Sequence, residues 1–327
     1  DNTSILKDID SLVSKIGESK VKDTNDVVPD NDDGRGKSIF SFGNKHVPTI
    51  AKQKIITFYG AKSGIGTTVV ALNNAIALSQ AGHKVIYIEF NAFNPSVPYW
   101  YDMNNTVDGI DTAILGLETH NYQDIFNSII TKEKLLNNRE STLISNYSKF
   151  PPNIDFMFFS KKYLERTEKS NVSNNSLKDL LMFLMYQASY DYIVLDMNSN
   201  VDAYLIETAL IFSTMNAIVI SQDVASIGYA IEFFSKLSKK GLAFDFGSDK
   251  KSDSMAKNIY IINRYFGDSN LTEKKIRDWI ETDKTYVIPE NTKEVNNSTY
   301  VGYPTLLVSR NRQFKDAFRN IASVLES

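Results

Sequence analysis

From about residue 54 onward the chain alternates short apolar runs with stretches of helical periodicity. The runs are Ile55 to Tyr59, Val85 to Phe90, Ile154 to Phe159, Tyr192 to Leu195, Ala217 to Ser221, Ile259 to Asn263 and Tyr286 to Ile288. They are rich in β-branched and aromatic residues and mostly apolar at consecutive positions, as strands buried on both faces are. Between them, Thr68 to Gln80, Ser176 to Ser189, Tyr204 to Ser213, Ile227 to Lys239, Thr272 to Glu281 and Gln313 to Leu325 predict helices. This alternation predicts an α/β fold: a mainly parallel sheet covered by helices on both faces.

Upstream the pattern changes. Ile5, Leu6, Ile9, Leu12, Val13 and Ile16 recur at helical spacing and predict a short helix within residues 1–20. Its apolar face packs either on the main domain or as the end of an upstream domain. Residues 21–50 hold Asp23, Asp26, Asp30, Asp32 and Asp33 with Pro29, Gly34, Gly36 and Gly43, the composition of a flexible acidic linker. Residues 51–327 are then the main domain. A start at Asp1, with neither Met nor a signal-like apolar run, is expected of a piece of a longer protein or a processed one.

Composition narrows the chemistry. With 42% hydrophobic and 23% charged residues, the 327-residue chain can bury a substantial core and is not a disordered one. Its 36 basic and 39 acidic residues give a net charge of −3, so no overall basic field marks nucleic acid as the default partner. The absence of Cys excludes disulfides, thiol catalysis and Cys-ligated zinc or iron–sulfur sites, and is compatible with a reducing cytoplasm. His46, His83 and His120 are too far apart in sequence for a helical metal pair and read as surface or packing residues. No apolar run of about 18 residues predicts a transmembrane helix.

The first strand leads into Gly60-Ala61-Lys62-Ser63-Gly64-Ile65-Gly66-Thr67-Thr68, and a helix follows. A strand, a Gly-bearing loop and a helix N-terminus converge unpaired amides and the positive helix end on one point, and phosphate is the natural guest. The strict phosphate-loop pattern fails, because Ala61 stands at its first Gly and Thr67 at its Lys.

This stretch resembles the deviant Walker A loop of the ParA and MinD superfamily, Lys-Gly-Gly-x-Gly-Lys-Thr. Lys62 matches the signature lysine, Gly64 and Gly66 match glycines, Thr68 matches the magnesium-binding hydroxyl, and Thr67 departs from the pattern. The resemblance implies that Lys62, Ser63, Gly64, Ile65, Gly66, Thr67 and Thr68 cradle ATP. It also implies that Lys62 reaches across a nucleotide-sandwich homodimer to the partner's phosphates. Tyr190-Asp191-Tyr192-Ile193-Val194-Leu195-Asp196 resembles the Walker B strand, with Asp196 placed to reach Mg2+ through water. Ile259 to Arg264 resembles the strand whose Asn, here Asn263 beside Arg264, contacts the adenine edge, and Val287-Ile288-Pro289-Glu290 the loop beside the base. Taken singly, an Asp at a strand end is also an ordinary helix cap or loop residue.

Catalysis is another matter. Where the superfamily places Asp-x-Asp after the second strand, this chain has Glu89-Phe90-Asn91. Asn91 hydrogen-bonds water but cannot take a proton. Glu89 either faces magnesium or sits at a solvent edge of the strand. Thr67 removes a point charge from the β and γ phosphates, and phosphoryl transfer depends on such charges. The expected catalytic set, Lys62, Asn91 and Asp196, is therefore degenerate, giving at most a weak ATPase that still binds nucleotide.

Replacement of the loop's second lysine by Ser or Thr resembles one branch, the CpaE and TadZ proteins of pilus assembly. That branch implies a cytoplasmic, dimeric positioning platform for pilus or secretion machinery, at a cell pole or peripheral to the inner face of the membrane. Two alternatives stand beside it: a partition protein binding nonspecific DNA through Arg310, Arg312, Lys315 and Arg319, and a scaffold with a vestigial loop. In the last helix, Phe314, Phe318, Ile321 and Leu325 should face the core. Pro98-Tyr99-Trp100-Tyr101 is either a partner patch or packed beneath adjacent helices, and packing is the expectation.

Overall fold

The computed structural model describes residues 53–138, 143–166, 172–199, 201–239 and 257–327. The helix and linker expected ahead of residue 51 lie outside the described residues.

Seven strands form one sheet: β1 (Lys54–Gly60), β2 (Val85–Glu89), β3 (Ile154–Met157), β4 (Tyr192–Asn198), β5 (Met215–Ser221), β6 (Lys257–Tyr265) and β7 (Thr285–Pro289). They lie in the order β3-β2-β4-β1-β5-β6-β7, and every neighbouring pair is parallel. All seven predicted strands exist. Their boundaries differ by a few residues: β3 stops at Met157 rather than Phe159, and β4 runs on through Asp196 to Asn198.

The register explains the consecutive apolar pattern. Along β1, Ile56 and Phe58 point into one core layer while Ile55 and Tyr59 point into the other, and all four are buried. Each face therefore needs helical cover. One face carries α1 (Thr67–Gln80), which follows β1; the segment between β2 and β3 contains α2 (Val97–Trp100), α3 (Ile110–Glu118), α4 (Gln123–Ser128), α5 (Lys132–Leu136) and α6 (Ile144–Tyr147). After β3 come α7 (Lys161–Leu164), α8 (Asn174–Tyr186), α9 (Ala203–Phe212), α10 (Val224–Lys239) and α11 (Glu273–Ile280); α12 (Thr292–Tyr300), α13 (Thr305–Val308) and α14 (Arg312–Glu326) follow β7. The buried apolar residues of α1, from Val70 to Leu78, and the buried stripe of α14 share one core layer, and those of α8 to α11 share the other.

The last helix shows how sequence pattern becomes stability. Phe314, Phe318, Ile321 and Leu325 are all buried, as their spacing predicts. Lys54 closes the far end by donating from Nζ to the Leu325 and Glu326 carbonyls at 3.2 and 2.7 Å, and His83 Nε2 lies 2.9 Å from Glu326 Oε1. Phe318 is fully buried, so Phe318→Ala is expected to cost about 3–5 kcal/mol, read as a lowered midpoint in urea unfolding. A midpoint unchanged by the substitution would remove α14 from the core.

The aromatic cluster after β2 divides between its two readings. Tyr101 is buried and stacks edge-on to Phe150 at 5.5 Å, and Trp100 is half-buried against the same core. Tyr99 is 60% exposed, so the cluster is packed at its C-terminal end and open at its centre.

Candidate nucleotide site

The site is built at the C-terminal end of β1, the middle strand. Of its two neighbours, β4 is followed by a return to β5 on the other side, so the chain diverges around β1 and leaves a crevice there, the usual ligand position in such sheets. The loop from Ala61 to Gly66 turns into α1 through two left-handed residues, Gly64 at φ 80° and Gly66 at φ 88°. No side chain caps the start of α1, so its first amides keep the anion-binding character of a helix N-terminus.

Two glycines are required by close approach. A Cβ on Gly66 would lie 2.5 Å from Asn263 Nδ2, and one on Gly60 would lie 2.0 Å from Thr67 Oγ1. Asn263, buried at the end of β6, donates from Nδ2 to the Ile65 carbonyl at 2.8 Å and braces the loop. Thr67 is buried over Gly60. The residue at the missing lysine's position is thus a short side chain turned into the loop's own floor.

Asn263, Arg264 and Pro289 come together with Gly66 around a cavity of about 20 Å³, walled also by Val69 and Phe314. The cavity is smaller than a nucleobase, and Arg264, exposed and at φ 53°, is one of its lining residues. Lys62 and Ser63 lie at the outer edge of the loop. Lys62 Nζ sits 3.3 Å from Asp223 Oδ1 of the same chain. Asp223 precedes α10 and also accepts from the Ser226 amide at 2.9 Å and from the Ser221 hydroxyl. Partial burial pushes the Asp223 carboxyl up, but Ser221, Ser226 and Lys62 outweigh it and hold the group below the usual carboxylate range.

On the α1 side of the sheet, β2 and β4 set two acids side by side, Glu89 against Asp196 in register. Both are almost wholly buried. Burial first, then the charge of Asp196, pushes Glu89 well above the ordinary carboxylate range, although the Ser96 and Val97 amides pull it back. Burial raises Asp196 to about 6, opposed by the Thr68 and Tyr87 hydroxyls. Tyr87 donates to Asp196 Oδ2 at 2.9 Å. Oδ1 is buried with no hydrogen-bond partner in the protein, so Thr68 acts on the carboxyl from outside good hydrogen-bond geometry.

Those features fit a hard cation. An orphaned carboxylate oxygen, a nearby hydroxyl and two adjacent acids pushed toward neutrality chiefly by their burial all gain from one positive charge. Among the described residues no group of three or more His, Cys, Asp or Glu forms a metal cage. Such sparse protein ligation is the habit of Mg2+, which keeps waters and takes phosphate oxygens.

Both polar residues of the Glu89-Phe90-Asn91 stretch are engaged by the chain itself. Glu89 is not at a solvent edge: it is 1% exposed, and its two oxygens accept the Ser96 and Val97 amides at 2.7 and 3.0 Å, capping α2. Asn91 is buried as well. Its Nδ2 donates to the Asn94 carbonyl at 2.6 Å and its Oδ1 accepts the Phe93 and Asn94 amides, closing the loop on itself. Sequence reading missed Tyr87, which looks like any strand aromatic, and Asp223, which reads as a helix cap.

Comparison with known proteins agrees with this architecture. Residues 53–245, more than half of the chain, match the family described as AAA domain. An iron–sulfur cluster carrier protein of Aquifex aeolicus is 39% identical over 76 residues, which cover 22% of this chain and 20% of that protein. The septum site-determining protein MinD of Helicobacter pylori is 24% identical over 197 residues, 58% of this chain and 62% of that one. The chain thus spans less than two thirds of either curated relative. Among solved structures, a ParA family ATPase from Chlorobium tepidum superposes with TM-score 0.64 at 18% identity over 84% of this chain and 98% of its own. MinD from Pyrococcus horikoshii, solved with Mg-ADP, gives 0.61 at 16% over 84% and 96%. MinD of Aquifex aeolicus in its complex with MinC gives 0.60 at 16% over the same shares. The chain belongs to the AAA domain family and has the α/β fold of the ParA and MinD P-loop ATPases.

Proposed function

We propose that this protein binds ATP with Mg2+, hydrolyses it slowly or not at all, and acts as a nucleotide-dependent dimeric platform that positions pilus or secretion machinery, as the likeness to CpaE and TadZ implies. The observation that carries the reading is the split in the site. The parts that bind are present: the Gly64–Gly66 turn, the uncapped start of α1, Asn263 bracing the loop, and Asp196 with an unpartnered oxygen. The parts that drive hydrolysis are absent or engaged elsewhere, Thr67 over Gly60 and Asn91 in its own loop.

Thr68 and Asp196 would hold the metal ion, with Glu89 behind them fixing α2. When bound, such an ion neutralises developing charge on the phosphates. Asn263, Arg264 and Pro289 would flank the base. Lys62 is the residue that would serve a partner copy, exchanging Asp223 for that copy's phosphates and so offsetting the repulsion of two facing nucleotides.

The partition reading is less favoured, because Asp316 pairs with both Arg312 and Arg319, at 3.5 and 2.9 Å, and offsets part of the positive charge on that face. Among the described residues no helix is long and apolar enough to cross a membrane.

Light scattering tests the dimer. With saturating ATP and Mg2+ the parent should double in mass, and Lys62→Ala should stay monomeric with unchanged circular dichroism. A Lys62→Ala dimer as strong as the parent's would sink the role across subunits. Tight anisotropy binding to nonspecific DNA with a steep salt slope would favour partition instead.

A further inference from the structure

Tyr87 has no part in any of the roles above, yet its position is unusual for a strand aromatic. It is fully buried on β2, two residues before Glu89 and on the same face of the sheet, opposite Val194 of β4. Its hydroxyl crosses to β4 and donates to Asp196 Oδ2 at 2.9 Å. A carboxylate at the end of one rotatable stem presents its two oxygens interchangeably unless something distinguishes them. Here one oxygen is held by a strong donor and the other is left bare in a buried place.

Tyr87 is the donor in this contact, because an ionised carboxylate only accepts. The ring is wedged among Phe156 and Phe158, edge to face at 6.3 and 6.4 Å, so the hydroxyl is held in place by packing rather than by the acid it touches. A hydrogen bond from a rigid outer residue to a ligating carboxylate sets its rotamer and leaves a defined oxygen for the metal.

We propose that Tyr87 is a positioning residue for the cation: it fixes Asp196 by Oδ2 so that Oδ1 is presented on the Thr68 side. The inference rests on the reading that this site takes Mg2+ with nucleotide. It assigns no chemistry to Tyr87 itself, which touches neither phosphate nor the attacking group. Loss of the hydroxyl should weaken the cation's hold without weakening the loop's hold on phosphate, because Gly64, Gly66 and the α1 amides do not depend on β2.

The test uses a fluorescent ATP analogue and the full chain, titrated first in EDTA and then with Mg2+ at fixed nucleotide. The readout is the Mg2+ concentration giving half the metal-dependent gain in affinity, taken relative to the metal-free affinity of the same sample so that the folded fraction cancels. For Tyr87→Phe the expected result is an unchanged metal-free affinity and a half-saturating Mg2+ concentration raised about tenfold, the lower end of what outer partners of metal ligands contribute. Tyr87→Met, which lacks the hydroxyl but has a different shape, should shift the midpoint by a similar factor. A Tyr87→Phe midpoint equal to the parent's, or an equal loss of affinity with and without metal, overturns the positioning role and leaves a packing role. A parent that binds nucleotide with no response to Mg2+ overturns the metal site itself, and the inference with it.

Discussion

In metal-free buffer at pH 7.5, Asp196→Asn is expected to unfold at a higher temperature than the parent, although it removes a residue at the heart of the site. The reason is the sign of the carboxyl's pKa. Asp196 is raised in the folded state from 3.8 to about 6, so the folded protein holds that proton more tightly than the unfolded chain does. Stability from this group is full below about pH 4 and declines as pH rises toward 6, after which the whole penalty is present. A shift of this size corresponds to about 2–3 kcal/mol, and part of it is given back because the Asn amide finds no acceptor where Oδ1 was bare. Differential scanning should therefore show a gain of several degrees for the variant at pH 7.5 that vanishes near pH 4. Added Mg2+ and ATP should stabilise the parent and leave the variant behind, reversing the order. Equal melting of the two proteins at pH 7.5 would mean that Asp196 carries no burial penalty and is not poised for a cation.

The second large effect concerns turnover. Thr67→Lys with Asn91→Asp should raise ATP hydrolysis at least tenfold over the parent, since it restores a cation at the phosphates and a carboxylate near the attacking water. The structure adds a condition. Asn91 Nδ2 donates to the Asn94 carbonyl, and an Asp oxygen in that place would face another oxygen. Asn91→Asp alone is thus expected to loosen the loop between β2 and α2 and to give little gain, while the pair gains more than either single change. Phosphate release under saturating ATP measures all four proteins. No gain in the pair, with binding intact, would place the defect outside these two residues.

What was legible in the sequence follows from how many constraints each residue answers to. The seven strands were legible because both faces of the sheet are covered, so that Ile55, Ile56, Phe58 and Tyr59 must all be apolar. The loop was legible through Gly64 and Gly66. The further reason that Gly66 has no side chain, Asn263 arriving from β6 almost two hundred residues later, leaves no local trace.

The short helices between β2 and β3 and the polar α12 went unseen. Helices of four to nine residues hold too few turns for a period to register, and α12 buries only Ser298 fully. Glu89 and Asn91 stood as a motif in the sequence, yet what they do depends on the chain folding back at Ser96 and Asn94, which residue types alone do not dictate. Tyr87 and Asp223 were hidden for the opposite reason. Each satisfies an ordinary role, core aromatic and helix cap, while its polar atom does something else.

The most direct test is calorimetry of the purified protein with ATP and Mg2+, paired with phosphate release on the same sample. The expected result is saturable binding between micromolar and sub-millimolar dissociation constants, with turnover near background. Absence of heat at millimolar ATP together with an unmoved melting temperature would contradict nucleotide binding, and rapid phosphate release would contradict a site whose Thr67 and Asn91 are withdrawn from catalysis.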